Sequence, residues 1–89
     1  MTSERLLDVR DLAPPEPLQR VLVAMHALAA AQYLRVCLPR EPFPLYPLLQ
    51  EFGYLWRARP ADGAGFEILI WRRDDREAQI AAQRLLDGG

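Results

Sequence analysis

The chain has 89 residues, a formal charge of -1, and 51% hydrophobic and 26% charged residues. That is enough for one core and too short for two units of the roughly 50 to 200 residues that fold independently, and the composition excludes a disordered chain or a basic surface for nucleic acid. One Cys, one His, one Ser, one Thr and no Lys or Asn rule out a lysine Schiff base, a phosphate-loop lysine and a zinc site of several Cys or His, and all but rule out a Ser/His/Asp triad. No catalytic residue, cofactor or metal ligand is therefore assigned.

Met1 to Asp8 mixes acids and bases where a signal peptide needs an apolar run, and no later stretch approaches the ~20 apolar residues of a membrane span. The expectation is a cytoplasmic protein without a membrane partner. A lone cysteine, Cys37, forms no internal disulfide, which agrees with a reducing compartment.

Residues 5–9, with Leu6, Leu7 and Val9, predict a first strand that ends in the breaker stretch 11–17. Leu18, Val21, Leu22, Met25, Leu28 and Ala29 then recur at helical spacing, with Pro17 suited to the first turn and Glu16 favourable at the positive end of the dipole. Residues 33–38 alternate, placing Leu34, Val36 and Leu38 on one face and Tyr33, Arg35 and Cys37 on the other, as in a second strand stopped by Pro39.

A second helix carries Leu45, Leu48, Leu49 and Phe52 and stops at Gly53. Pro44 and Pro47 have to lie in its first turn, because further in they cost about 3 kcal/mol. Residues 54–59 and 66–72 are aromatic and β-branched runs joined by the turn-rich segment 60–65, which predicts a hairpin. Beyond Arg73, residues 74–89 form a charged, helix-prone, weakly amphipathic tail. This tail frays, covers the open sheet face as an extra C-terminal helix, or pairs with a second subunit, so a homodimer stays open.

The order β-α-β-α-β-β predicts an α/β (α+β) two-layer sandwich, a four-stranded mixed sheet with two helices on one face, over residues 1–73, with 74–89 appended. A right-handed crossover makes the first two strands parallel, so both end at one rim. The loops there carry Arg10 and Asp11 on one side and Arg40 and Glu41 on the other.

The segment Leu7-Asp8-Val9-Arg10-Asp11-Leu12-Ala13-Pro14-Pro15-Glu16-Pro17 before a helix resembles the opening of the TusA/SirA-like sulfur carriers, which begin with a Leu-Asp strand and a Cys-Pro-x-Pro motif. Arg40-Glu41-Pro42-Phe43-Pro44-Leu45-Tyr46-Pro47-Leu48-Leu49, then Gly53 and Ile68-Leu69-Ile70-Trp71-Arg72, more specifically resemble the uncharacterised family DUF 2249, which is similar to TusA in fold. The resemblance spans roughly residues 6 to 72. It implies a TusA-like sandwich. The carriers hold their persulfide cysteine where this chain has Pro14, so the resemblance does not extend to sulfur transfer at that position.

Cys37, set between Val36 and Leu38, reads as a small half-buried filler, and His26 as a rim or solvent-facing residue without a metal-binding partner. The rim is the expected ligand-binding site, with Arg10, Glu16, Arg40, Glu41 and Tyr46 as contacts. Arg10 and Arg40 would grip a carboxylate or phosphate, and Pro14, Pro15, Pro17, Pro42, Pro44 and Pro47 would scaffold the loops. Against this, the prolines delete N–H donors, and Asp11, Glu16 and Glu41 are placed to pair with the arginines. Aromatic residues mixed with Arg35 suggest a second, interface-like surface if one sheet face is open.

The sequence thus predicts a binding or interaction module whose partner is an unidentified protein or a small anionic ligand. The alternatives are a sulfur or redox relay using Cys37, or a homodimeric structural partner.

Overall fold

A computed structural model describes residues 3–88. Its elements are β1 (Glu4–Asp8), α1 (Glu16–His26), β2 (Tyr33–Leu38), α2 (Leu45–Glu51), β3 (Tyr54–Pro60), β4 (Phe66–Arg72) and α3 (Arg76–Leu86). The strands form one mixed sheet in the order β1-β2-β4-β3. β1 runs parallel to β2 with Glu4 opposite Tyr33 and Asp8 opposite Cys37, while β4 is antiparallel to both β2 and β3. The first strand begins and ends one residue earlier than its apolar content predicts, although the Val9 N–H still donates to Cys37 O at 3.0 Å.

Alternation decides what each sheet face touches. Leu34 and Val36 of β2 and Ile68 and Ile70 of β4 point to the same side and are fully buried against Val21, Ala24 and Met25 of α1 and Leu45 and Leu49 of α2. At about 25 cal/mol per Å² of apolar surface removed from water, these side chains supply most of the folding drive. The Tyr54 hydroxyl, at the start of β3, donates to Met25 O at 3.1 Å and ties the end of α1 to the sheet. As its sequence implied, α2 stops at Gly53, whose φ of +84° suits a residue without Cβ.

The tail forms a regular helix on the opposite face. Ala78 and Ala82 of α3 are fully buried against Tyr33, Leu69 and Trp71, with Ala81, Leu85 and Leu86 packed alongside. The sheet therefore has helices on both sides at this end. Alanine methyls make a faint hydropathic stripe, which is why the amphipathicity looked weak. Their small volume nevertheless lets the helix sit close on a large indole. Asp75 fixes where α3 begins: Oδ1 accepts from the Ala78 N–H at 3.0 Å and Oδ2 from the Ala31 N–H at 2.8 Å, joining the helix start to the α1–β2 turn. No described helix is long and apolar enough to cross a membrane.

The close approach of α3 gives a direct test. Ala82→Leu overpacks the contact with Trp71 and is expected to lower unfolding free energy by about 1–3 kcal/mol in urea titration. Gln83→Leu, on the exposed side of the same helix, is expected to change it by less than about 0.5 kcal/mol.

Candidate functional site

Because β1 and β2 are parallel, their C-terminal ends open onto one edge, where the β1–α1 and β2–α2 loops face each other. Between the loops lies a pocket of about 370 Å³. Its wall is apolar, formed by Leu12, Leu18, Val21, Leu38 and Leu45 together with Pro14, Pro17, Pro39, Pro42 and Pro44. Arg10, Arg40 and Glu41 are the polar residues lining it. The rim that the sequence suggested as a charged clamp is thus mainly a greasy recess with a polar edge.

The predicted contacts divide. Arg10 and Arg40 line one pocket, as does Glu41, whereas Glu16 and Tyr46 do not. Arg10 is held by Asp8 and by neither Asp11 nor Glu16: its Nε donates to Asp8 Oδ1 at 2.9 Å and its Nη2 to Oδ2 at 2.7 Å. These side-chain hydrogen bonds, helped by one from the Arg10 N–H, lower the Asp8 pKa to about 2. Glu16 accepts from Arg20 Nη2 at 3.1 Å, one helical turn along α1. Arg40 makes no ion pair among the described residues.

Tyr46 works behind the wall. Its ring stacks on Trp56 with centroids 5.6 Å apart and planes 11° from parallel, and its hydroxyl donates to Glu41 Oε2 at 3.0 Å. Burial, reinforced by the hydrogen bond to Glu41 and that residue's charge, pushes the Tyr46 pKa up to about 12. The hydrogen bond turns Glu41 toward the aromatic pair.

Part of the backbone at the rim is already satisfied, while the Leu18, Arg40 and Glu41 N–H groups have no backbone or side-chain acceptor among the described residues. Arg10 N–H donates to Asp8 Oδ1, Leu12 N–H to Val9 O, Glu16 N–H to Ala13 O, Leu45 N–H to Pro42 O and Tyr46 N–H to Phe43 O. Pro14, Pro15, Pro17, Pro42, Pro44 and Pro47 contribute no N–H at all.

On the other face of the sheet, beside the part that α3 covers, a polar network crosses all four strands. Glu67, only 5% exposed, accepts from Arg35 Nε at 2.6 Å and from Arg59 Nε at 2.7 Å. Glu4 lies 3.7 Å from Arg35 and accepts from the Tyr33 hydroxyl at 2.7 Å. Burial opposes ionisation of Glu67, but the two arginine hydrogen bonds outweigh it and hold the carboxyl below its usual range. Cys37 is half-buried and shares a recess of about 430 Å³ with Arg35, Arg59 and Glu67. His26 is exposed and packs edge-on against Phe52 and Tyr54. Among the described residues, no group of three or more His, Cys, Asp or Glu side chains is arranged to hold a metal.

The structure defines a compact α/β protein with a mixed four-stranded sheet and a loop-lined pocket at one edge. The sequence model of an uncharacterised conserved protein family, DUF2249, matches residues 6–72, and the chain belongs to that family. Helix α3 lies outside the matched segment. No curated protein and no solved structure matches the chain significantly.

The sequence reading missed the pocket wall. Leu18, Val21 and Leu38 read equally well as ordinary core positions of α1 and β2, and Leu12 belongs to no periodic pattern. The available signal was the two proline clusters, which hold neighbouring loops away from helical packing and leave space between them.

Two outcomes follow from the ion pairs. Asp8 is expected to titrate near about 2 in a carboxyl-detected NMR titration, and Arg10→Gln to return it toward 3.8. Because the folded-state pKa is depressed, the stabilising effect of the pair is complete above the ordinary Asp value and disappears as pH falls through about 2. For Glu67 the partners are partly exposed, so Glu67→Gln is expected to lower unfolding free energy by about 1–3 kcal/mol at pH 7. The difference between the two proteins should begin to shrink as pH falls below the ordinary Glu value of 4.5, where the unfolded chain takes up the proton, and vanish once pH passes through the lowered folded-state pKa.

Proposed function

We propose that the protein is a small binding module and that the apolar recess between the β1–α1 and β2–α2 loops is its site. The observation that carries this reading is the pocket itself: about 370 Å³, walled by leucine, valine and proline and edged by Arg10, Arg40 and Glu41. Its size and its mostly apolar lining with a few polar groups at the edge are those of small-ligand sites, which span roughly 300–1,000 Å³.

The chemistry at hand also favours holding over transformation. The segment Leu7 to Pro17 resembles the opening of the sulfur carriers, yet Pro14 stands where they place a thiol, and proline has no nucleophile. Cys37 faces the other side of the sheet, next to the Glu67 carboxylate and away from the loops.

The test uses 1-anilinonaphthalene-8-sulfonate, an aromatic anion, in an amide-resolved NMR titration. The expected result is saturable shifts clustered at Leu12, Leu18, Val21, Leu38 and Leu45, weakened at least tenfold by Leu18→Trp, which fills the recess, and unchanged by Val23→Ser on the outer face of α1. Shifts centred on α3, or an unaltered affinity in Leu18→Trp, would overturn the assignment.

A further inference from the structure

The geometry points to an apolar monocarboxylate as the ligand, with Arg40 reading the carboxylate and the recess holding the rest of the molecule; this deepens, and rests on, the reading of the pocket as a binding site.

Three observations select that chemistry. First, the two arginines at the edge are not equivalent. Both oxygens of Asp8 are engaged by Arg10, through Nε and Nη2, so this guanidinium already holds one carboxylate. Arg40 has no ionic partner among the described residues, and its planar fork matches a carboxylate with two parallel N–H···O bonds.

Second, phosphate and sulfate groups are usually held by several backbone N–H donors at a loop or helix start. Here Pro14, Pro17, Pro42 and Pro44 delete such donors from the pocket wall. The Leu12 and Leu45 N–H groups are already bonded to Val9 O and Pro42 O, which leaves those of Leu18, Arg40 and Glu41 without an acceptor among the described residues. A site with one uncommitted guanidinium, and with its three unbonded N–H donors split between α1 and the β2–α2 loop, suits a group with a single charge and two oxygens.

Third, the carboxylate nearest to Arg40 in sequence is tied elsewhere. Glu41 accepts from the Tyr46 hydroxyl at 3.0 Å, and Tyr46 is fixed by its stacking on Trp56. Tyr46 is therefore a positioning residue: it keeps Glu41 from taking the place of the ligand on Arg40.

Octanoate, octanol and octyl phosphate share one apolar chain and differ only at the head, and binding of each to the full-length protein is measured by calorimetry and amide-resolved NMR. Octanoate is expected to bind at least tenfold more tightly than octanol and no more weakly than octyl phosphate. Arg40→Gln should bring octanoate to the level of octanol and leave octanol unchanged, while Arg40→Lys should keep only part of the difference. Tyr46→Phe should weaken octanoate several-fold with little effect on octanol.

Equal affinity for octanoate and octanol, both shifting the pocket amides, would overturn the carboxylate assignment and leave the pocket standing. Tighter binding of octyl phosphate by tenfold or more would do the same. If none of the three shifts the pocket amides, the binding-site reading falls as well, and this inference with it.

Discussion

The parallel pairing of β1 with β2 governs where everything else sits. With Glu4 opposite Tyr33 and Asp8 opposite Cys37, the two strands leave the sheet at the same edge, each followed by a proline-studded loop and a helix. Had β1 paired antiparallel, the loops bearing Arg10 and Arg40 would lie at opposite ends and no recess would form between them. The register is pinned because β2 is central, and shifting it by one residue would turn Leu34 and Val36 away from α1 and α2.

Most of this architecture was legible from the chain alone, because its signals are local and repetitive. Alternation in residues 33–38 and the aromatic and β-branched run 66–72 marked the central strands, Pro17 marked the start of α1, and Pro44 and Gly53 marked the two ends of α2. Features that depend on which side chains meet across space were harder to see. The arginine at position 10 has three acids nearby in sequence, and only the folded geometry selects Asp8 over Asp11 and Glu16. Helix α3 escaped a definite placement because its buried stripe is alanine, whose contribution comes from fitting closely rather than from hydropathy. The apolar character of the rim was hidden for a related reason: its wall is assembled from residues of two loops and three elements that no single window contains.

The two faces of the sheet are stabilised by different physics. Under α1 and α2 the contacts are apolar apart from the Tyr54 hydroxyl bond to Met25 O, and loss of any large side chain there leaves a cavity. The opposite face is divided. One part lies beneath α3, where the indole N–H of Trp71 is buried without a hydrogen-bond acceptor among the described residues, since alanine side chains offer none. Such an orphaned donor costs about 1–3 kcal/mol, which the burial of Leu69 and of the Trp71 ring has to exceed. The other part is ionic, with the Glu67 carboxylate at its centre joining β2, β4 and β3 through Arg35 and Arg59.

That ionic half has a consequence for how copies of the chain behave at high concentration. A bare sheet flank invites a neighbouring sheet to lie on it and grow toward a fibril. Here an incoming strand layer would have to strip water from Arg35 and Arg59, and β3, at the sheet edge, ends in Pro60, which offers no N–H to a further strand. The charges that knit the four strands together thereby also make stacking of a second sheet on this part of the face costly.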